Sequence, residues 1–228
     1  MAPFGASRAG LMSVAEDDIP DSAIYQWDAT ELSLSDGDSV SSWTDEIGEL
    51  ELTGAATYRD DGINGVAAVE FDGTDDTLDS AIDSETQPYE IILVAFTNET
   101  SSTDGAGFLG WDSNDGFVVG GRGSGGIDAL RSDGDDELQG DATDTDAHIW
   151  SAQFDGSEST IRRDGSDANT GSAGTGPIEN SFALGSIDDG TNYLNGRIGE
   201  VLIYDSVLSA SERGDEEDRL AEKWGITI

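Results

Sequence analysis

The chain has 228 residues, enough for one domain with a core of its own, and carries 49 acidic residues against 10 basic ones, a formal net charge of -39. Such a surface excludes nucleic acid as a partner, because nothing here would displace the counterions of a phosphate backbone, and it disfavours insertion into anionic membranes. No apolar run approaches the roughly 20 residues of a membrane span, and the absence of cysteine removes disulfides and thiolate metal sites.

In ordinary buffer this self-repulsion would destabilise a compact state, whereas in molar salt the Debye length falls to about 3 Å and neighbouring carboxylates are screened. Nine of the basic residues are arginine and one, Lys223, is lysine. Trading long apolar lysine stems for densely hydrated Asp and Glu fits a protein adapted to saturating salt. The acids are interleaved with patterned apolar residues rather than blocked together, which argues against a disordered acidic tail.

The first fifteen residues contain no acid. Small residues and the apolar Phe4, Leu11 and Met12 surround a single Arg8, and an acidic run with Pro20 separates them from the rest. This shift marks residues 1–22 as an N-terminal docking arm and 23–228 as one domain. The arm has no apolar stretch of signal-peptide length, so the expectation is a protein made in the cytosol without conventional secretion.

From Ile24 onward, apolar runs at 24–27, 40–43, 67–71, 89–97, 117–120, 149–154, 159–163, 182–187 and 198–204 read as strands. Asp-Gly pairs at 36–37, 72–73, 115–116, 133–134, 155–156, 164–165 and 189–190 punctuate them, since Gly accepts positive φ and Asp bonds its own backbone. The unbroken run Ile91, Ile92, Leu93, Val94, Ala95 predicts a central strand buried on both faces. Ser209 with Glu212 forms a capping box, Leu220 and Trp224 share a face, and Gly225 is placed to stop the helix they define. The expected fold class is all-β: a two-sheet antiparallel jelly-roll sandwich with a short N-terminal arm and one C-terminal helix.

Several segments in order resemble the laminin G-like jelly-roll domains of the concanavalin A-like lectin and glucanase superfamily. They are Leu34-Ser35-Asp36-Gly37-Asp38 with Val40, Ser42, Trp43 and Asp45, then Phe71-Asp72-Gly73-Thr74-Asp75-Asp76, then Asn195-Gly196-Arg197-Ile198-Gly199-Glu200-Val201-Leu202-Ile203-Tyr204-Asp205 with Leu208-Ser209, Glu212-Arg213 and Lys223-Trp224-Gly225-Ile226. The resemblance implies binding of glycans or proteins, sometimes with calcium, and a fold alone does not choose among these. After Trp43-Thr44-Asp45 the family often carries Gly-Asn-Gly, where this chain has Ile47-Gly48-Glu49-Leu50. The arm Phe4-Gly5-Ala6-Ser7-Arg8-Ala9-Gly10-Leu11-Met12 is similar to amino-terminal segments of structural proteins of tailed viruses.

Candidate sites follow. Glucanases of the superfamily place Glu-x-Asp-x-x-Glu on one strand, and the nearest match, Glu70-Phe71-Asp72-Gly73-Thr74-Asp75, ends in Asp and runs into a turn, so no catalytic residue is assigned and a glycosidase is disfavoured. His148 stands alone, without partners for zinc or a triad, and reads as a partly buried strand-edge residue. The glycine-rich stretch 120–126 lacks the lysine and helix of a phosphate cradle and reads as a loop with Arg122 as a contact residue. Asp188, Asp189 and Asn192 offer oxygen ligands that suit calcium or, equally, a solvated acidic turn. For glycan contact the candidates are Trp111 with Asp112, Asn114 and Asp115, Arg122, and Asn192 with Tyr193, either as exposed platforms with polar neighbours or as core aromatics at strand ends.

These features together point to a non-enzymatic surface protein of a haloarchaeal virus, a decoration, turret or fibre. It would dock on other virion proteins through Phe4, Arg8, Leu11 and Met12, assemble as a homo-oligomer and touch host surface glycans. A cellular carbohydrate-binding or adhesion domain at the surface of a halophile is the alternative.

Overall fold

The computed structural model describes residues 22–100, 106–111, 115–119, 127–132, 136–178, 181–187 and 192–228, at 106, 115 and 117–119 for the main chain only. The arm residues Phe4, Arg8, Leu11 and Met12 lie outside the described residues. In chain order the strands are β1 (Ala23–Asp28), β2 (Ser39–Thr44), β3 (Glu51–Ile63), β4 (Val66–Asp72), β5 (Thr77–Ala81), β6 (Tyr89–Thr97), β7 (Ala106–Trp111), β8 (Asp115–Val119), β9 (Ile127–Arg131) and β10 (Leu138–Ala142). They continue with β11 (His148–Phe154), β12 (Ser159–Arg163), β13 (Ser166–Gly171), β14 (Ser181–Leu184) and β15 (Asn195–Tyr204), and the chain closes with helix α1 (Ala210–Trp224).

All pairings between these strands are antiparallel, along the path β10-β9-β8-β7-β14-β5-β3-β4-β15-β6-β11-β12-β13, with β1 on β15 and β2 on β3. The path folds over into the two layers of a jelly-roll sandwich. Strand β3 makes the bend: Thr53 to Ala55 pair with β5, and from Thr57 onward the strand pairs with β4. At the opposite edge β10 meets β13 and β12, where Asn169 Nδ2 of β13 donates to the Gln139 carbonyl at 2.7 Å and an Arg163 N–H of β12 to that of Ala142 at 3.0 Å.

Between the layers lies an aromatic core of Trp27, Trp43, Phe71, Tyr89, Phe108, Trp111, Trp150, Phe154 and Phe182. A second apolar layer forms outside, where α1 lays Leu220 and Trp224 on Ile92, Val94, Ile149 and Leu202. Alternation along β6 therefore sends Ile91, Leu93 and Ala95 inward and Ile92 and Val94 toward the helix, the two-faced burial that its unbroken apolar run predicts. The helix begins at the Ser209–Glu212 capping box and ends at Gly225 in the left-handed region, φ 62°. Gly199 of β15 admits the Trp224 ring, because a Cβ there would lie 2.6 Å from it.

Buried carboxylates fasten this helix. Glu90 takes Arg213 at 2.5 Å and the Leu208 N–H at 3.0 Å, and Glu217 takes Arg162 at 3.0 Å and the Ser151 hydroxyl at 2.8 Å. Glu200, with no exposure, accepts from Gln26, Arg219, Lys223 and the Trp224 indole at 2.9, 2.7, 2.7 and 3.1 Å. With Arg59, Arg163 and Arg197 also paired to acids, the scarce cations largely hold the sandwich together and leave its surface anionic.

Three local expectations need correction. The Asp115-Gly116 pair lies within β8 rather than in a turn, so the strand expected at 117–120 spans Asp115–Val119. The strand expected at 182–187 is Ser181–Leu184. Strands β3, β5, β7, β9, β10 and β13 have no counterpart among the predicted runs.

Candidate functional site

One end of the sandwich gathers the Asp72–Thr77 turn, the loop after β6 and the segment entering β15. Asn195 organises it. Its carbonyl accepts from the Asn98 N–H at 2.7 Å, its Oδ1 from Asn98 Nδ2 at 3.0 Å, and its own amide donates to Glu99 Oε1 at 3.3 Å. The Thr97 hydroxyl also donates to the Asn195 carbonyl at 3.3 Å and accepts the Glu99 N–H at 3.1 Å. Gly73, with φ +77°, lets the acidic turn lie against Asn195, where a Cβ would come within 2.8 Å.

In that turn Asp72 Oδ1 accepts the N–H groups of Thr74 and Asp75 at 2.8 and 3.4 Å, and Asp76 Oδ2 accepts that of Asp72 at 3.1 Å. One carboxylate oxygen from each of Asp72, Asp75 and Asp76 lies within 4.8 Å of the others. Burial, then the neighbouring charge of Asp72, pushes the Asp76 carboxyl above its ordinary range. A hard cation such as calcium takes six to eight oxygens, so the three supply part of such a shell, and N–H groups of the turn itself bond Asp72 and Asp76.

Of the residues expected to contact glycans, Asn192 and Tyr193 sit at this end, both half-buried, with Asn192 at φ 60° and its carbonyl accepting the Gly107 N–H at 3.2 Å. Trp111 does not join them. It pairs with Phe182 four residues further along β7 from Gly107, about 13 Å at the strand rise. It is also only 1% exposed, edge-on to Tyr89 and Phe154, so it is a core side chain and presents no platform. The main chain of Asp115 follows it in β8, and Asp112, Asn114, Arg122, Asp188 and Asp189 lie outside the described residues.

Glu70 is clamped by two arginines, Arg59 and Arg197, each at 2.6 Å. Burial alone would raise its carboxyl, but the hydrogen bonds from Arg59 and Arg197 outweigh that and hold it below the ordinary range. A group so held as an anion is poorly suited to be a general acid. His148 opens β11 with its side chain 12% exposed, Nδ1 at 2.5 Å from Asp164 and Nε2 at 2.8 Å from Asp144. The turn that departs from the family pattern is tied by Asp45, whose carboxylate accepts the N–H groups of Ile47, Gly48 and Leu50. What the sequence concealed is the rim's wiring by Asn98, Glu99 and Asn195: three polar residues in two distant segments that the β6–β15 pairing brings together.

No protein-family model matches this sequence, and comparison with curated proteins finds no match. Solved structures do share its shape. The binding domain of Paraclostridial Mosquitocidal Protein 1 superposes with a TM-score of 0.64 at 9% identity, over 87% of this chain and 52% of that one. A structure of botulinum neurotoxin type C, whose cell entry is dependent upon interaction with two ganglioside molecules, gives 0.62 at 14% identity, over 89% of this chain and 52% of that one. A Trypanosoma rangeli sialidase in complex with sialic acid gives 0.61 at 12% identity, over 92% of this chain and 34% of that one. The chain thus spans between a third and about half of the solved chains it matches. At these identities the likeness is one of fold, an all-β sandwich.

Proposed function

We propose that this chain is a lectin-like, non-enzymatic surface protein of a virus of halophilic archaea, which touches host-surface glycans through the rim around Asn195. The observation that carries the reading is that rim: amides and a carboxylate of Asn98, Glu99 and Asn195, locked to one another, stand against the acidic turn at one end of a lectin-like sandwich, with half-buried Tyr193 two residues before Asn195 in the chain. Fixed polar groups next to an aromatic side chain are what sugar hydroxyls and a sugar's apolar face require. The two-arginine clamp on Glu70 supports binding without hydrolysis. The charge of -39 supports a saline habitat, and the acid-free first fifteen residues support docking on other virion proteins as a homo-oligomer of closed symmetry.

Two measurements test this. Tyr193→Ala should weaken retention on immobilised host-envelope glycans by about tenfold, a loss of about 1.4 kcal/mol, with the melting transition unchanged; unaltered retention would remove the rim from the account. The protein should also be found in purified particles, and deleting residues 2–15 should abolish its incorporation. Absence from particles together with presence in cell envelopes would move it to a cellular adhesin.

A further inference from the structure

Lys223, the chain's one lysine, lies in the last turn of α1 with Nζ 2.5 Å from Asp28 Oδ2 and 2.7 Å from Glu200 Oε2. Both acids are buried, Asp28 at 2% and Glu200 at 0% exposure. As an ion-pair partner for two carboxylates, arginine's planar fork is the better residue. This chain uses arginine for that purpose at Glu70, Glu90 and Glu217. What lysine alone offers is a primary amine that becomes a nucleophile once it loses a proton.

The surroundings suit that chemistry. Asp28 Oδ1 accepts both the N–H and the hydroxyl of Thr30, at 2.9 and 2.7 Å, two fixed donors on the oxygen that would bear charge if the carboxyl carbon were attacked. Asp28 Oδ2, the oxygen facing Lys223, is left as the one to depart. Glu200 Oε1 is held by Gln26 and Arg219, while its Oε2 meets the amine and the Trp224 indole N–H, whose ring lies 5.7 Å from Nζ. The amine, the carboxyl and a second carboxylate in contact with the same nitrogen are therefore held side by side, both carboxylates buried and the lysine side chain 20% exposed.

We propose that Lys223 and Asp28 condense to an isopeptide bond, with Glu200 carrying the proton. Burial opposes the charges on both Lys223 and Glu200, but Glu200 and Asp28 keep the amine protonated and Arg219 and Lys223 keep Glu200 ionised, so transfer of a proton to Glu200 runs uphill and is the slow first step. The neutral nitrogen then attacks Asp28 Cγ, and the Thr30 donors hold the oxyanion on Oδ1. Glu200 returns its proton to Oδ2 and relays a second one from the attacking nitrogen, the Cγ–Oδ2 bond breaks and water leaves. One ammonium proton stays on the amide nitrogen and two depart with the oxygen. An ammonium and a carboxylate become an amide and one water, with no oxidant, reductant or change in net charge. The bond would tie the end of β1 to α1 across 195 residues, so that a pull on the N-terminal segment would be carried to the helix instead of peeling β1 from β15.

The test is the intact mass of the denatured full chain after folding in about 3 M KCl, where carboxylate repulsion is screened. The wild type should weigh one water less than its sequence, and digestion should release a branched peptide joining the segments that contain Asp28 and Lys223. Lys223→Arg, which keeps the charge, should show the full sequence mass. Glu200→Gln should condense at least about a hundredfold more slowly, the usual worth of a positioned proton carrier. A folded wild type that keeps its full mass on prolonged incubation would leave an ion pair only and overturn the proposal. So would loss of water from Lys223→Arg, which would place the dehydration at an Asp-Gly turn. Unslowed condensation of Glu200→Gln would overturn the role given to Glu200.

Discussion

Both imidazole nitrogens of His148 meet carboxylates, Asp164 and Asp144, and as the chain's single histidine it gives one ring resonance to follow by NMR. Burial works against the charged ring, but the hydrogen bonds to Asp164 and Asp144 and their charges outweigh it, with Arg163 and buried Asp128 completing the cluster. The titration midpoint should lie above the ordinary 6.5. Because the folded pKa is raised, the stability it contributes is complete below 6.5 and is lost as pH rises through the folded value. His148→Ala should therefore cost more at pH 6 than at pH 9 in denaturant titrations; an equal cost at both would contradict the pairing. Arg213→Ala leaves Glu90 buried without its cation and should cost about 3–5 kcal/mol. At this scale the sequence is least legible. Trp111 has polar neighbours in sequence, yet its strand turns it into the core, and Arg197 on Glu70 and Arg213 on Glu90 come from segments far away along the chain.

Helix α1 shows what a local signal can and cannot carry. Its capping box, its Leu220–Trp224 stripe and its terminal glycine are all written in consecutive residues, and each forms as predicted. Trp224→Ala should cost about 3–5 kcal/mol by emptying the space over Gly199, whereas Ser209→Ala, at an exposed cap, should cost about 1 kcal/mol. Thermal unfolding should separate the two, and equal losses would mean that the helix is not packed as described. Strand β6 is legible because a run buried on both faces needs no alternation to be recognised. Strand β13, Ser-Asp-Ala-Asn-Thr-Gly, has no buried side chain and exists through its ladder with β12, which no single-segment pattern reports. Strand β3 is hidden for a related reason: in bending between layers it changes partners, and six of its thirteen residues are exposed.

For the whole molecule the charge distribution separates two kinds of electrostatics. Exposed acids repel one another and are screened by salt, while the pairs of Glu90, Glu200 and Glu217 are buried and feel little screening. The unfolding midpoint should accordingly rise steeply with KCl in the wild type, and the loss caused by Arg213→Ala should persist at about 3 M salt. The jelly-roll class, read from turn punctuation and apolar runs, is the architecture found. The rim around Asn195 needed the fold to be seen, since it joins residues 72–76, 97–99 and 192–195. The most direct measurement of the central claim is sedimentation of the purified protein with host cell envelopes in about 3 M salt, intact and deglycosylated. Binding to intact envelopes that disappears on deglycosylation is the predicted result; no binding, or binding indifferent to the glycans, would contradict it.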